Sequence, residues 1–197
     1  MHRTIKLTIA YEGSGYVGWQ RQPNGRSIQG LIEDSFRRIE GAPVTIIGAG
    51  RTDAGVHALG QVASARITHA IGVADLVRAL NAMLPSDIRV LEAIEMPKSF
   101  DARKSSVGKV YRYRVVTGPF VSPFERRYAW HIEKPLDCRA MQDGGKAFLG
   151  EHDFAGFQTT GSDVKTSVRR ISRLDVNEVD LDRTAGGGRL MTIEVEG

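Results

Sequence analysis

The run Gly48-Ala49-Gly50-Arg51-Thr52-Asp53-Ala54-Gly55-Val56-His57 sets three glycines around an arginine and an aspartate. A carboxylate can act as nucleophile or general base, and a guanidinium two residues away can keep it ionised or touch a phosphate or a base. The glycines let the backbone turn tightly and approach a ligand closely. Two familiar nucleotide-binding patterns fail here. A dinucleotide fingerprint begun at Gly48 needs its last glycine where Asp53 stands, and a phosphate loop needs a Gly-Lys-Ser/Thr ending that is absent. What remains is a carboxylate on a tight turn at a strand end, the plain alternative being an Asx turn in which Asp53 only bonds local amides.

A second chemical signal lies between Lys98 and Arg127. Eight basic residues (Lys98, Arg103, Lys104, Lys109, Arg112, Arg114, Arg126, Arg127) face two acids (Asp101, Glu125), and Phe100, Tyr111, Tyr113, Phe120 and Phe124 are interleaved with them. Arginine outnumbers lysine 20 to 7 in the chain, and guanidinium is the better group for phosphate forks and base stacking. The pattern suits an RNA surface, or a solvated strand face with its aromatics turned into a core. His2, His57, His69, His131 and His152 never approach metal-ligand spacing. Cys138, the single cysteine, sits in an expected helix with no histidine nearby in sequence, as an inert thiol would. Trp19 and Gln20 read as core and loop residues.

The elements that must carry these residues follow from periodicity. Thr4 to Tyr11 alternates as a half-buried strand; Ser27 caps a helix through Ile28, Leu31, Ile32, Phe36 and Ile39, stopped by Gly41 and Pro43. Strands are expected at Val44 to Ile47, Gln61 to Ile67 and Ile88 to Ile94, with a helix from Asp75 to Leu84 closed by Pro85. This order is β-α-β-β-α-β, a ferredoxin-like (RRM-like) arrangement. The second half starts the same way: a strand from Lys109 to Thr117, a partner at Tyr128 to Ile132, and a helix capped by Asp137 running through Met141, Phe148 and Leu149 to Gly150. Two more strands, Ser167 to Val179 and Arg189 to Val195, flank a turn from Asp182 to Gly188, after which an α-β pair is missing. The expected class is therefore α+β, two ferredoxin-like lobes sharing a mostly antiparallel sheet with helices on one face: an N-terminal lobe over 1–103 carrying the Asp53 loop, and an incomplete lobe over 104–197 for RNA and base binding.

The 197 residues and their composition, 41% hydrophobic and 25% charged with a net charge of +4, fit ordinary globular structure and exclude disorder and coiled coil. No stretch reaches the ~20 apolar residues of a membrane helix, and Met1-His2-Arg3-Thr4-Ile5-Lys6 alternates where a signal peptide is continuously apolar. A soluble, cytoplasmic protein without a membrane partner is expected.

With its flanks, Gly50-Arg51-Thr52-Asp53-Ala54-Gly55-Val56-His57-Ala58-Leu59-Gly60-Gln61-Val62 resembles the signature of the tRNA pseudouridine synthase A family. Tyr11-Glu12-Gly13 leading to Gly18-Trp19-Gln20-Arg21-Gln22, Ser27-Ile28-Gln29, Phe100-Asp101-Ala102-Arg103, Tyr111-Arg112-Tyr113, His152-Asp153-Phe154 and Arg169-Arg170-Ile171 extend the likeness in order. The resemblance implies isomerisation of uridine to pseudouridine in the anticodon stem-loop of tRNA, at positions 38 to 40. It makes Asp53 the catalytic residue and Tyr111 the tyrosine against the target uracil; Arg51 is expected to orient Asp53 or pair with it. Arg21, Arg26, Arg103, Lys109 and Arg112 are the expected RNA contacts. It also implies a homodimer, no cofactor and no metal. Members usually continue past the last residue here, into a helix bearing an arginine that lies beside the catalytic aspartate, and Asp101 stands where histidine is common. The competing class is a non-catalytic RNA-binding module, or an inactive fragment of the enzyme; Asp53 discriminates, because a pure RNA grip gains nothing from a carboxylate on its basic face.

Overall fold

Strand β1 (Arg3–Tyr11) alternates sides, and its Ile5, Leu7 and Ile9 are fully buried on one face. In the computed structural model, which describes residues 2–158, 166–181 and 188–197, β1 lies between β3 (Ala58–Ile67) and β4 (Ile88–Met96), and the short β2 (Ile46–Gly48) pairs with the outer side of β3. The order β2-β3-β1-β4 is antiparallel throughout. Register sets the large side chains of β1 opposite small ones, Ile5 against Ala65 and Leu7 against Ala63, which leaves depth for helices.

Helix α1 (Ile28–Glu40) is started by the Ser27 hydroxyl, which accepts the Gly30 amide, and ended by Gly41 at φ +71°. It buries Ile28, Ile32 and Phe36 in the same core as Leu76 and Leu80 of α2 (Val73–Met83) and the apolar face of β1. Both helices therefore cover one face. On the other, the buried Ser64 hydroxyl accepts the amide of the buried Ala102, so the turn around Asp101 is pinned to the sheet.

The chain divides into two compact units, Met1–Ser106 and Val107–Gly197. In the second, β5 (Val110–Thr117), β10 (Arg189–Glu196) and β9 (Arg173–Asp180) are antiparallel neighbours, while β6 (Trp130–Ile132) runs parallel to the end of β5. Helix α3 (Cys138–Gly145) is capped by the Asp137 carboxylate, and Val115, Cys138, Val176 and Met191 form the unit's buried core.

Two expectations are corrected here. The helix expected to run to Leu149 ends at Gly145, where the Gly144-Gly145 pair disfavours helix and a Cβ on Gly145 would lie 2.6 Å from Leu174. Phe148 then leaves the sheet core and joins Phe154 and Phe157, at ring distances of 6.3 and 5.8 Å. The single strand expected from Ser167 to Val179 is two, β8 (Val168–Ile171) and β9, broken at Ser172; β8 pairs instead with β7 (Gly150–Asp153). Residues 182–187 of the expected turn lie outside the described residues. The described architecture is a mixture of α and β, with three helices and antiparallel-rich sheets.

Candidate active site

The link from β2 to β3, residues 49–57, is held on both sides of Asp53 by the segment that leaves β1. The Trp19 amide donates to the Thr52 carbonyl at 2.9 Å, the Tyr11 and Thr52 hydroxyls share a hydrogen bond of 2.8 Å, and the Gly13 amide donates to Nδ1 of His57 at 3.0 Å. Glycine is required at two of these approaches. A Cβ on Gly13 would lie 2.0 Å from the Val56 carbonyl oxygen, and one on Gly18 would lie 2.5 Å from that of Thr52. The base of the link is closed by the Ala49 amide on the Val62 carbonyl and by the Gln61 side chain on the Gly50 carbonyl.

Within this frame the Val56 amide bonds the Asp53 carbonyl at 3.2 Å while Gly55 takes φ +80° at the third position of the turn, as a type II turn requires. Burial pushes the Tyr11 phenol above its ordinary value, against the opposing pull of hydrogen bonds with Thr52 and Gln61. Tyr11 is thus a neutral, buried anchor for Thr52. The Gly13 amide bonds Nδ1 of His57, and Oε1 of Glu12 lies 3.5 Å from the same atom.

The result is a fixed backbone carrying an exposed carboxylate. The Asp53 side chain forms no hydrogen bond or ion pair among the described residues, local amides included. Nor does any such bond join it to Arg51. Arg51 instead lines a cleft of about 330 Å³, with Trp19, Gln20, Gly48, Asp101, Arg103 and Lys104 among the other residues around it. Trp19 is itself buried at 3% exposure, and Gly48 has no side chain because a Cβ there would meet the indole at 2.6 Å.

The other residues expected at the site are described each within its own unit. Arg21 is bound by Glu33 at 3.1 Å and lies 3.7 Å from Asp34, and the guanidinium of Arg26 lies 5.8 Å from the centre of the Tyr16 ring. In the second unit Tyr111 and Tyr113 stand on the same face of β5 as the buried Val115, at 50% and 60% exposure. Arg112, on the opposite face, is tied to Glu194 at 2.6 Å, and exposed Lys109 joins Gly197 through two backbone bonds. No three His, Cys, Asp or Glu side chains gather as a metal site among the described residues, and no described helix is long and apolar enough to cross a membrane. The clamping roles of Tyr11, Thr52 and Gly18 were not singled out from sequence; the trace of them was that the two segments are separate stretches of the same family likeness.

A family model described as tRNA pseudouridine synthase matches residues 7–103. The tRNA pseudouridine synthase A of Syntrophotalea carbinolica is 40% identical over 176 residues, covering 89% of this chain and 70% of the relative. That of Limosilactobacillus fermentum is 46% identical over 179 residues, 89% of this chain and 69% of the relative. That of Geotalea uraniireducens is 42% identical over 195 residues, 99% of this chain and 77% of the relative. The chain is thus shorter than these relatives.

Proposed function

Because the chain belongs to the tRNA pseudouridine synthase A family, we propose that it isomerises uridine to pseudouridine in tRNA, in the anticodon stem-loop at positions 38 to 40, with Asp53 as the catalytic carboxylate. The observation that carries this reading is the exposed Asp53 carboxylate, unpartnered among the described residues, on a backbone clamped at Thr52 and His57. A group meant only to hold a turn would bond its neighbours. A group meant to meet a substrate stays open and is fixed from behind.

The reaction breaks the bond from N1 to C1′, turns the uracil, and joins C5 to C1′; the proton on C5 leaves for solvent and N1 gains one. Atoms and electrons balance within the nucleotide, so no redox partner or energy carrier enters. Three roles are open to Asp53: nucleophile towards the sugar, nucleophile towards the base, or base towards the sugar. The uridine must leave its stack, and Tyr111 offers the uracil an aromatic face. In this reading Arg51 orients the substrate, and Arg21, Arg26, Arg103, Lys109 and Arg112 hold backbone phosphates, Arg21 and Arg112 after exchanging their carboxylate partners.

The order β2-β3-β1-β4 with two helices on one face supports reading the first unit as a ferredoxin-like catalytic lobe. The second unit is read as a lobe that binds RNA and base. The reading further takes the protein as a cytoplasmic homodimer that needs neither cofactor nor metal. Incubation with unmodified tRNA followed by carbodiimide labelling and primer extension tests the function. New stops at positions 38 to 40 are expected; stops elsewhere, or none with a folded protein that binds tRNA, would overturn the assignment.

A further inference from the structure

The chain holds three asparagines, Asn24, Asn81 and Asn177, and their side-chain amides stand in unlike surroundings. Asn81, in α2, is tied at both atoms: its Nδ2 donates to the Val90 carbonyl and its Oδ1 accepts the Val90 amide, each at 2.8 Å. Asn177 lies within β9, opposite Thr192 of β10. Asn24 is exposed on the turn across which Gln22 and Gly25 bridge, and its side chain has no hydrogen bond among the described residues.

The residue that follows each asparagine matters as much. Ala82 and Glu178 carry a Cβ beside the backbone nitrogen, which hinders attack by that nitrogen on the preceding side chain, whereas Gly25 carries none. Packing imposes the glycine. An added Cβ at position 25 would lie 2.4 Å from Cγ1 of Val17, a β-branched side chain with little rotamer freedom to yield. Val17 is itself held, its amide on the Arg26 carbonyl at 3.0 Å and its carbonyl accepting Nε2 of Gln22 at 3.2 Å. The fold thus demands the unhindered residue directly after the asparagine whose side chain it leaves unbonded.

We propose that Asn24 is a site of spontaneous deamidation in the folded protein, with water as the co-reactant. The Gly25 nitrogen gives its proton to solvent and attacks Cγ of Asn24; a new carbon-nitrogen bond forms, the side-chain carbon-nitrogen bond breaks, and the amide nitrogen leaves as ammonia. The five-membered imide so formed takes up one water. Opening at one carbonyl leaves aspartate, and opening at the other leaves isoaspartate, in which the main chain runs through Cβ. Nothing is oxidised or reduced. The product carries a negative charge two residues from Arg26 and three from Arg21. Both are read above as phosphate contacts, so the consequence, which rests on the tRNA reading, is a weaker hold on tRNA.

The test is incubation of the unaltered chain at mildly alkaline pH, with timed samples digested and the amide-to-acid mass change read at each asparagine. Deamidation at Asn24 should rise with pH and outpace that at Asn81 by at least roughly thirtyfold, since two side-chain bonds must open before Asn81 can react. The same measurement in denaturant separates the fold from the sequence. Asn24 should react within about threefold of its rate in the unfolded chain, while Asn81 and Asn177 are slowed by folding. No mass change at Asn24 in the folded chain, or a slowing by folding equal to that of the other two, overturns the site. Asn24→Asp supplies one product directly and should bind tRNA a few-fold less tightly than the unaltered chain at about 50 mM salt, the gap narrowing towards about 200 mM. Equal binding overturns the consequence for tRNA while the mass change still decides the site. A folded, unaltered chain that binds no tRNA overturns the tRNA reading and that consequence together.

Discussion

An alanine at position 18 should shift the Asp53 loop without dissolving the fold. Gly18 has φ +106°, and its added Cβ would lie 2.5 Å from the Thr52 carbonyl oxygen and 3.0 Å from the Asp53 carbonyl carbon. A side chain in that region of backbone space costs about 1–2 kcal/mol. Relief of the clash requires about 0.9 Å of movement, from 2.5 Å to the 3.4 Å at which contact becomes ordinary. The same carbonyl holds the Trp19 amide at 2.9 Å, and loosening that bond adds about 1 kcal/mol. The stability loss should therefore be about 2–3 kcal/mol by denaturant unfolding. Misplacing a catalytic group by about 1 Å costs on the order of 100-fold in rate, so kcat for release of tritium from tRNA labelled at uracil C5 should fall by about that factor while tRNA affinity holds within about threefold. Gly15→Ala is the control, since nothing lies within 4 Å of its added Cβ. A Gly18→Ala protein that turns over at the original rate, or an equal loss in Gly15→Ala, would refute the idea that the clamp positions Asp53.

On the other flank, His57→Leu removes the acceptor of the Gly13 amide and should lower kcat by roughly fivefold more than His57→Asn, whose side-chain oxygen can take the same hydrogen. Alkaline stability should report the buried tyrosines. Burial raises both Tyr11 and Tyr16 above their ordinary 10.0, and for Tyr16 the hydrogen bond it donates to Asp87 and that group's charge add to the effect. The folded state thus keeps protons that the unfolded chain loses, so stability is complete below pH 10 and declines as pH rises towards the folded values; in denaturant titrations Tyr16→Phe should decline less steeply than the original protein. Burial opposes ionisation of Glu40, yet hydrogen bonds from the Thr68 amide and hydroxyl and the His69 amide hold it below its ordinary 4.5. Stability from this group is present above that value and lost as pH falls through the lowered one, and Glu40→Gln should flatten the acid limb of the same titration. In the core, Phe36→Ala should cost about 3–5 kcal/mol, because Phe36 is fully buried.

Where the sequence carried a period and a punctuation mark, the fold was legible. The alternation of β1 placed Ile5, Leu7 and Ile9 inward, and Ser27 and Gly41 bound α1 at the residues that cap it. Pattern failed where neighbouring sheets and small residues decided the outcome. Gly144 and Gly145 ended α3 early, and β7, Gly150–Asp153, carries three charged or polar residues in four and has no apolar stripe to announce it. The break at Ser172 was invisible because β8 and β9 are both plausible strand and differ only in their partners. At the site, the Asp53 motif named the loop. Its clamp was not legible, since a hydrogen bond between Tyr11 and Thr52 spans 41 residues of chain. Likewise the two-residue spacing of Arg51 and Asp53 suggested a pair, while the backbone turns Arg51 to the cleft.

The most direct measurement is tritium release from tRNA labelled at uracil C5 by the unaltered chain and by Asp53→Asn, each shown folded and each titrated for tRNA binding. Asp53 is exposed and unpartnered among the described residues, so the substitution should leave stability and tRNA affinity intact. The account predicts release by the original chain, none above background by Asp53→Asn, and equal binding by both. Release that survives the loss of the carboxylate, with tRNA bound as before, would contradict it.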